Sequence, residues 1–402
     1  MKILLLGKGQ SIKYIKKYLK HKKISFINAV FEHEYTSKYI LADETLLSLN
    51  DIDYAIKSPG IPETNKLYLK LNRKFKFICE LDLLKLLDEH VKTIVVTGSN
   101  GKTTFVSMLN YLLNKAKLKC ITCGNSFSPI TKHYKKFDKL DYLIIEQSSF
   151  QLHNLSLYNP YISLILNLHP NHLDSSYSLN SYYENKKNIY KYQNKNNYFI
   201  YDKDYINNVS TNATIIDKLS FPDLDNINEK FHKYKLNIDY IYTIFKILGI
   251  SEKLMYKIND FKTLKYREQY INKNGITFIN DSKSTSVEST LFALSNLSNI
   301  SNVILIIGGK DKGLNLDKIN KYNIKYIISY GELVNKSMIQ LKNVIPAISL
   351  KEAFNIAYNI KMNNKTILFS PAASSYDQYK NYIDRGKHFD KLVNKLWKII
   401  IE

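Results

Sequence analysis

Lys102 and Thr103 stand behind a glycine, Gly101, at a point where a strand gives way to a helix. That combination can hold the phosphates of a nucleotide. The full stretch is Val95-Val96-Thr97-Gly98-Ser99-Asn100-Gly101-Lys102-Thr103-Thr104. In such a cradle the backbone N–H groups and the positive helix end face the anion. Lys102 reaches the terminal phosphates, and the Thr103 hydroxyl can hold Mg²⁺. Gly98, Asn100, Gly101 and Thr104 belong to the same nucleotide-binding set. The spacing departs from the general phosphate loop (P-loop), because Val96 stands where a further glycine is usual. A bare G-x-x-G-K-T can also be a tight turn. Here a β-branched run from Thr93 to Val96 precedes it and an amphipathic stretch from Phe105 to Leu113 follows. Strand, loop and helix together point to an ATP site.

Further clusters fall at the ends of expected strands, where open α/β sheets bind ligands. Glu146-Gln147-Ser148-Ser149-Phe150-Gln151-Leu152 ends one strand in a carboxylate placed to hold Mg²⁺. Taken alone, Glu146 reads equally as an exposed strand-end acid. In Asn167-Leu168-His169-Pro170-Asn171-His172-Leu173-Asp174, a neutral His172 could ligate a metal, although a lone histidine is more often structural. Tyr182 and Lys186 then lie four apart, on one face of an expected helix. Asn280-Asp281-Ser282-Lys283-Ser284-Thr285 and Gly308-Gly309-Lys310-Asp311-Lys312-Gly313 offer groups suited to phosphate, ribose or carboxylate. The last cluster runs from Ser370-Pro371-Ala372-Ala373-Ser374-Ser375 to Tyr379 and is followed by Arg385-Gly386-Lys387-His388-Phe389.

These residues need a scaffold, and the chain is long enough to supply one. Its 402 residues are 45% hydrophobic, ample for packed cores in two to four domains of ~100–200 residues. Residues 1–88 alternate short apolar strands (Ile3–Leu6, Ile24–Asn28, Tyr54–Lys57, Phe75–Phe77) with polar helical stretches. Within them, Ser58-Pro59-Gly60-Ile61-Pro62 either brings backbone close to a ligand or merely closes a strand. A second unit, 89–265, holds the phosphate loop and the expected strands Tyr142–Glu146 and Tyr161–Asn167. It closes with a helix from Leu236 to Leu248. The third, 266–402, has candidate strands Ile276–Asn280, Val303–Ile307, Tyr326–Ser329 and Thr366–Phe369.

No apolar run approaches the ~20 residues of a membrane span, and Ile3–Leu6 is too short for a signal core. No membrane role and a cytoplasmic location are expected. The net charge of +22 invites a nucleic-acid reading. Lys, Asn, Ile and Tyr are inflated throughout, however, so the charge is spread rather than clustered, and anionic small molecules suit it equally. No nucleic-acid partner is expected. Cys120 and Cys123 lack a second pair to complete a zinc site and read as buried apolar residues of a strand.

In order along the chain, SPGIP, TGSNGKTT, EQSSFQL, NLHPNHLD, the Lys186 helix, NDSKST, GGKDKG, SPAASSYDQY and RGKHF resemble the Mur ligases of peptidoglycan synthesis. EQSSFQL, GGKDKG and SPAASSYDQY point to the D-glutamate-adding branch. The resemblance implies three α/β domains: a Rossmann-like UDP-sugar-binding domain, a central P-loop ATP-binding domain with a mostly parallel sheet, and a Rossmann-like amino-acid-binding domain. It implies an enzyme, expected as a monomer, that uses ATP and Mg²⁺ to join D-glutamate to UDP-N-acetylmuramoyl-L-alanine through an acyl phosphate.

The resemblance makes Lys102 the phosphate-loop lysine, and Thr103 and Glu146 ligands of the ATP-linked Mg²⁺. His172 and a carbamylated Lys186 would hold the second metal. Asn125 and Ser149 would contact substrate. Asn237, Arg267 and Asp281 would serve the nucleotide, and Lys283 would face the phosphates. Thr285, Lys312, Ser375 and Tyr382 would frame D-glutamate, and Ser11 with the Gly7–Gly9 turn would lie near uridine. Asn171, Tyr266, Ser286 and the pair Lys233-Tyr234 depart from the family pattern. A folylpolyglutamate-type ligase shares the phosphate loop but would lack SPAASSYDQY. A basic nucleic-acid-binding NTPase is motivated by charge alone.

Overall fold

The computed structural model describes residues 1–31, 40–168, 179–206, 209–262, 264–311 and 313–396. The chain forms two compact units, Met1–Phe261 and Lys262–Glu402. Among the described residues no helix is long and apolar enough to cross a membrane.

The first unit carries two sheets. β1 (Lys2–Leu6), β2 (Ser25–Val30), β3 (Ile40–Leu41) and β4 (Tyr54–Lys57) form a parallel sheet in the order β3-β2-β1-β4. Phe75–Phe77, expected as another strand, makes only an isolated bridge between Ala55 and Phe77. The helix Lys66–Lys74 ends directly before it, and Phe75 and Phe77 pack into the core rather than into a ladder.

The second sheet is parallel throughout. It comprises β5 (Thr93–Thr97), β6 (Cys120–Gly124), β7 (Tyr142–Glu146), β8 (Ile162–Ile165), β9 (Tyr198–Tyr201) and β10 (Thr214–Asp217), in the order β10-β9-β8-β5-β7-β6. β5 is buried at every position, as a strand covered on both faces must be. On one face, Phe105, Met108 and Leu112 of the helix Lys102–Lys115 pack with Ile238, Ile241 and Phe245 of the helix Lys235–Leu248. On the other face, Val95, Leu143 and Ile145 meet Ile189 and Tyr190 of the helix Leu179–Lys191. Each fully buried Leu, Ile or Phe contributes ~1.5–3 kcal/mol. Cys79, Cys120 and Cys123 are free and buried, and burial pushes the Cys120 thiol up to about 12. The cysteines therefore act as small apolar side chains.

β6 and β7 lie on one side of β5, and β8 to β10 on the other. Beyond the carboxyl end of β5 the sheet thus has its switch point, the ligand-binding position of open α/β sheets.

The second unit holds β11 (Gln269–Lys273), β12 (Ile276–Asn280), β13 (Val303–Gly308), β14 (Tyr326–Tyr330), β15 (Val344–Ala347) and β16 (Thr366–Ala372). Their order is β11-β12-β16-β13-β14-β15. Only β11 runs antiparallel to its neighbour; the other pairings are parallel. β13 is buried along its whole length. Val287 and Leu294 cover one face of this sheet, and Phe354, Phe389 and Val393 the other.

Candidate active site

The phosphate loop leaves β5 and enters the helix at Gly101, whose φ of 80° is left-handed backbone that a side chain disfavours. Asn167, just past β8, fastens the loop. Its Oδ1 accepts from Ser99 N–H at 3.1 Å and Asn100 N–H at 2.9 Å, and its Nδ2 donates to Asn100 O at 3.2 Å. Lys102 Nζ donates to Gly98 O at 2.7 Å and Ser99 O at 2.9 Å. Thr104 is half-buried in the first turn of the same helix. Asn237 belongs here too, because a Cβ at Gly101 would stand 3.7 Å from its Oδ1.

Glu146 ends β7 and is buried. Its Oε1 accepts from Asn125 Nδ2 at 2.9 Å and from Ser126 Oγ at 2.8 Å. Thr103 Oγ1 donates to Ser126 Oγ at 3.0 Å, so Ser126 bridges the two expected metal ligands. Glu146 Oε2 is buried with no hydrogen-bond partner among the described residues. An orphaned carboxylate oxygen beside two hydroxyls suits a hard cation bound through oxygens. Among the described residues no group of three or more His, Cys, Asp or Glu gathers to hold a metal. Ser149, buried, opens the short helix Ser149–Leu152, which Ser148 and Gln151 cap reciprocally.

Lys186 sits inside this site, 1% exposed. Its Nζ donates to Gly98 O at 2.9 Å and lies 4.5 Å from the centre of the Tyr182 ring, as the one-face spacing requires. Tyr182 in turn donates to Ser99 Oγ at 3.1 Å. Burial, reinforced by the positive charge of Lys102, holds the Lys186 amine well below the usual lysine value, while Glu146 opposes the shift. Lys187 instead pairs with Glu184 at 2.8 Å on the exposed side.

Arg267, Asp281, Lys283, Thr285, Ser375 and Tyr382 lie in the second unit. Asp281 is buried; its Oδ1 accepts from Glu268 N–H at 3.2 Å, and its Oδ2 accepts from Ser370 Oγ at 2.8 Å and from Ser284 Oγ. Burial, then the nearby Glu268, pushes its carboxyl up to about 7. Its oxygens thus fasten the segment bearing Arg267 to the β12 and β16 ends. Lys283 Nζ lies 4.6 Å from the centre of the Tyr382 ring. Thr285 is half-buried just before Ser286, which caps the helix Val287–Ser295. Ser375 is buried, and Lys310 N–H donates to Ser374 O at 2.8 Å, tying the loop after β13 to the one after β16. His172 and Lys312 lie outside the described residues, as does Asn171. At Gly60 a Cβ would meet nothing, so no close approach within the chain demands that glycine.

Sequence reading gave Asn167, Ser126 and Arg385 no role. Asn167 and Ser126 do carry a local signal: they are small polar residues just past β8 and β6, strands of the sheet that bears the phosphate loop.

The Mur ligase middle domain family matches residues 96–307. The chain is similar to a UDP-N-acetylmuramoylalanine–D-glutamate ligase of Francisella tularensis subsp. mediasiatica, 34% identical over 87% of each chain. In fold it is similar to MurF from Acinetobacter baumannii, with a TM-score of 0.60 and 14% identity over 96% of this chain and 90% of that one. A pseudomurein peptide ligase type C from Methanothermus fervidus is likewise similar in fold, with a TM-score of 0.57 and 17% identity over 98% and 99%. A phosphate loop at a sheet switch point, an orphaned carboxylate and a buried lysine thus meet a family match over more than half the sequence, and this chain belongs to the Mur ligase family.

Proposed function

We propose that this chain is an ATP-dependent ligase that joins D-glutamate to UDP-N-acetylmuramoyl-L-alanine. The chemistry rests on one observation: Lys102, Thr103, Glu146 and Lys186 converge on a single phosphate loop. The substrate assignment follows the name of the relative that is 34% identical over 87% of each chain. The muramoyl-alanine carboxylate attacks the γ-phosphate of ATP, giving an acyl phosphate and ADP. The D-glutamate amine then attacks that carbonyl, and phosphate leaves as the amide forms.

The family resemblance supplies the residue roles, and the contacts around the phosphate loop support those of Lys102, Thr103, Glu146 and Lys186. Lys102 exchanges its two loop carbonyls for the β/γ-phosphates and orients them. Thr103 and Glu146 Oε2 would hold Mg²⁺, which screens phosphate charge when bound. Lys186 is poised to react with CO₂, because a depressed pKa favours the neutral amine. The neutral amine adds CO₂ and releases one proton, and the resulting carbamate is an anion that could hold metal. Asn125 and Ser149 face the sugar substrate, and Asn237, Arg267, Asp281 and Lys283 serve the nucleotide. Thr285, Lys312, Ser375 and Tyr382 frame D-glutamate, and His172 is a further metal ligand. Residues 1–88, 89–265 and 266–402 would bind UDP-sugar, ATP and amino acid in turn.

The test is the product. Incubation with both substrates, ATP and Mg²⁺ should add the mass of one glutamate less water to the UDP-sugar. An unchanged mass with ATP consumed would contradict the proposal.

A further inference from the structure

Arg385 opens the RGKHF motif, and the reading above gives it no task. It is 0% exposed and, among the described residues, the largest fully buried side chain. A guanidinium carries five N–H donors in a rigid fork, and burying it costs heavily unless those donors are used. Here they reach three separate loops. Nε donates to Ser282 Oγ at 3.1 Å, and Nη2 to Ser282 O at 2.8 Å. Nη1 donates to Gly308 O at 3.2 Å and to Ala373 O at 3.0 Å. Ser282 Oγ passes the contact on, donating to Tyr382 O at 2.9 Å.

Ser282 follows β12, Gly308 ends β13, and Ala373 follows β16. Thr285, Lys312 and Ser375 sit a few residues further along those same three segments, and Tyr382 opens the helix that carries Arg385. One side chain therefore fixes the spacing of every segment that supplies an expected amino-acid contact. The neighbouring Gly386 serves the same packing, because a Cβ there would run into the Tyr266 ring beside Arg267.

We propose that Arg385 is a positioning residue for the amino-acid substrate, holding the loops after β12, β13 and β16 in register without touching the substrate itself. The inference rests on the D-glutamate reading of this site. Lysine cannot replace the fork, since its donors fan from one point and reach one or two carbonyls at best.

The experiment uses the full chain with Arg385→Lys and Arg385→Ala. Losing charged hydrogen bonds that hold the loops should raise the KM for D-glutamate about tenfold or more in Arg385→Lys. The KM values for ATP and UDP-N-acetylmuramoyl-L-alanine should stay near wild type. Hydroxylamine trapping of the acyl phosphate, without D-glutamate, should also persist. In Arg385→Ala, added guanidinium should recover part of the D-glutamate-dependent rate. An unchanged KM for D-glutamate in Arg385→Lys would overturn the proposal, as would an equal loss for all three substrates.

Hydrogen exchange separates this inference from the function reading, because it needs no substrate. Amides at 282–285, 309–313 and 373–376 should exchange faster in Arg385→Lys, with those at 98–104 unchanged. Equal exchange in both proteins would overturn the positioning role even if D-glutamate is the substrate. A wild-type enzyme indifferent to D-glutamate would instead overturn the substrate reading.

Discussion

Lys102 and Lys186 both donate to Gly98 O, so two ammonium groups share one carbonyl at the base of the phosphate loop. Their mutual repulsion favours losing the proton from the more deeply buried of the two, which is Lys186. Three substitutions separate the roles. Lys102→Ala should cut kcat at least ~10²-fold, since the phosphates lose an oriented cation; a near wild-type rate would remove Lys102 from the mechanism. Lys186→Ala should be comparably severe, with partial rescue by formate filling the vacated anion position. Lys187→Ala should be mild, because an exposed pair such as its contact with Glu184 contributes ~0.2–1 kcal/mol. A dead Lys187→Ala beside an active Lys186→Ala would reverse the assignment.

Asp281 gives a different readout. Its folded carboxyl titrates near 7, whereas the unfolded one titrates at the ordinary value near ~3.9. Between those values the folded chain keeps a proton that the unfolded chain has lost, so this residue makes stability fall as pH rises from about 4 to 7. Asp281→Asn should flatten that fall, by an amount on the order of a few kcal/mol. Urea unfolding of both proteins across that range would show it, and parallel curves would contradict it.

At the level of elements, the central strands were legible because burial on both faces demands unbroken apolar runs. Thr93–Thr97, Tyr142–Glu146 and Val303–Gly308 are of that kind. The edges were not. β10 and β11 are half-exposed and polar, β15 contains Pro346, and β3 has two residues, so none carries the pattern. The site divides similarly. Loop, helix start and strand-end acid are local in sequence, and their types announced them. Asn167 to Asn100 and Arg385 to Ser282 span 67 and 103 residues, a separation no local pattern encodes.

Sheet geometry also constrains Glu146, the proposed metal ligand. Gly124 ends β6 with φ 101°, and a Cβ there would run into Glu146 O. Gly124→Ala should push the β7 end outward, costing ~1–3 kcal/mol in backbone strain alone. It should also raise the Mg²⁺ concentration needed for half-maximal rate. An unchanged Mg²⁺ dependence would show that the Glu146 position tolerates the shift.

Over the whole molecule, a charge of +22 suits the proposed substrates, which are all anionic: ATP, a UDP-sugar and D-glutamate. A basic surface raises their local concentration without a specific nucleic-acid site. Candidate residues such as Glu146 and Asp281 sit at strand ends in both units, where open α/β sheets bind ligands. The proposed function turns on the choice of amino acid. The most direct measurement is phosphate release from ATP with UDP-N-acetylmuramoyl-L-alanine, comparing D-glutamate, L-glutamate and L-lysine. D-glutamate alone should stimulate release; equal stimulation by all three would contradict the account.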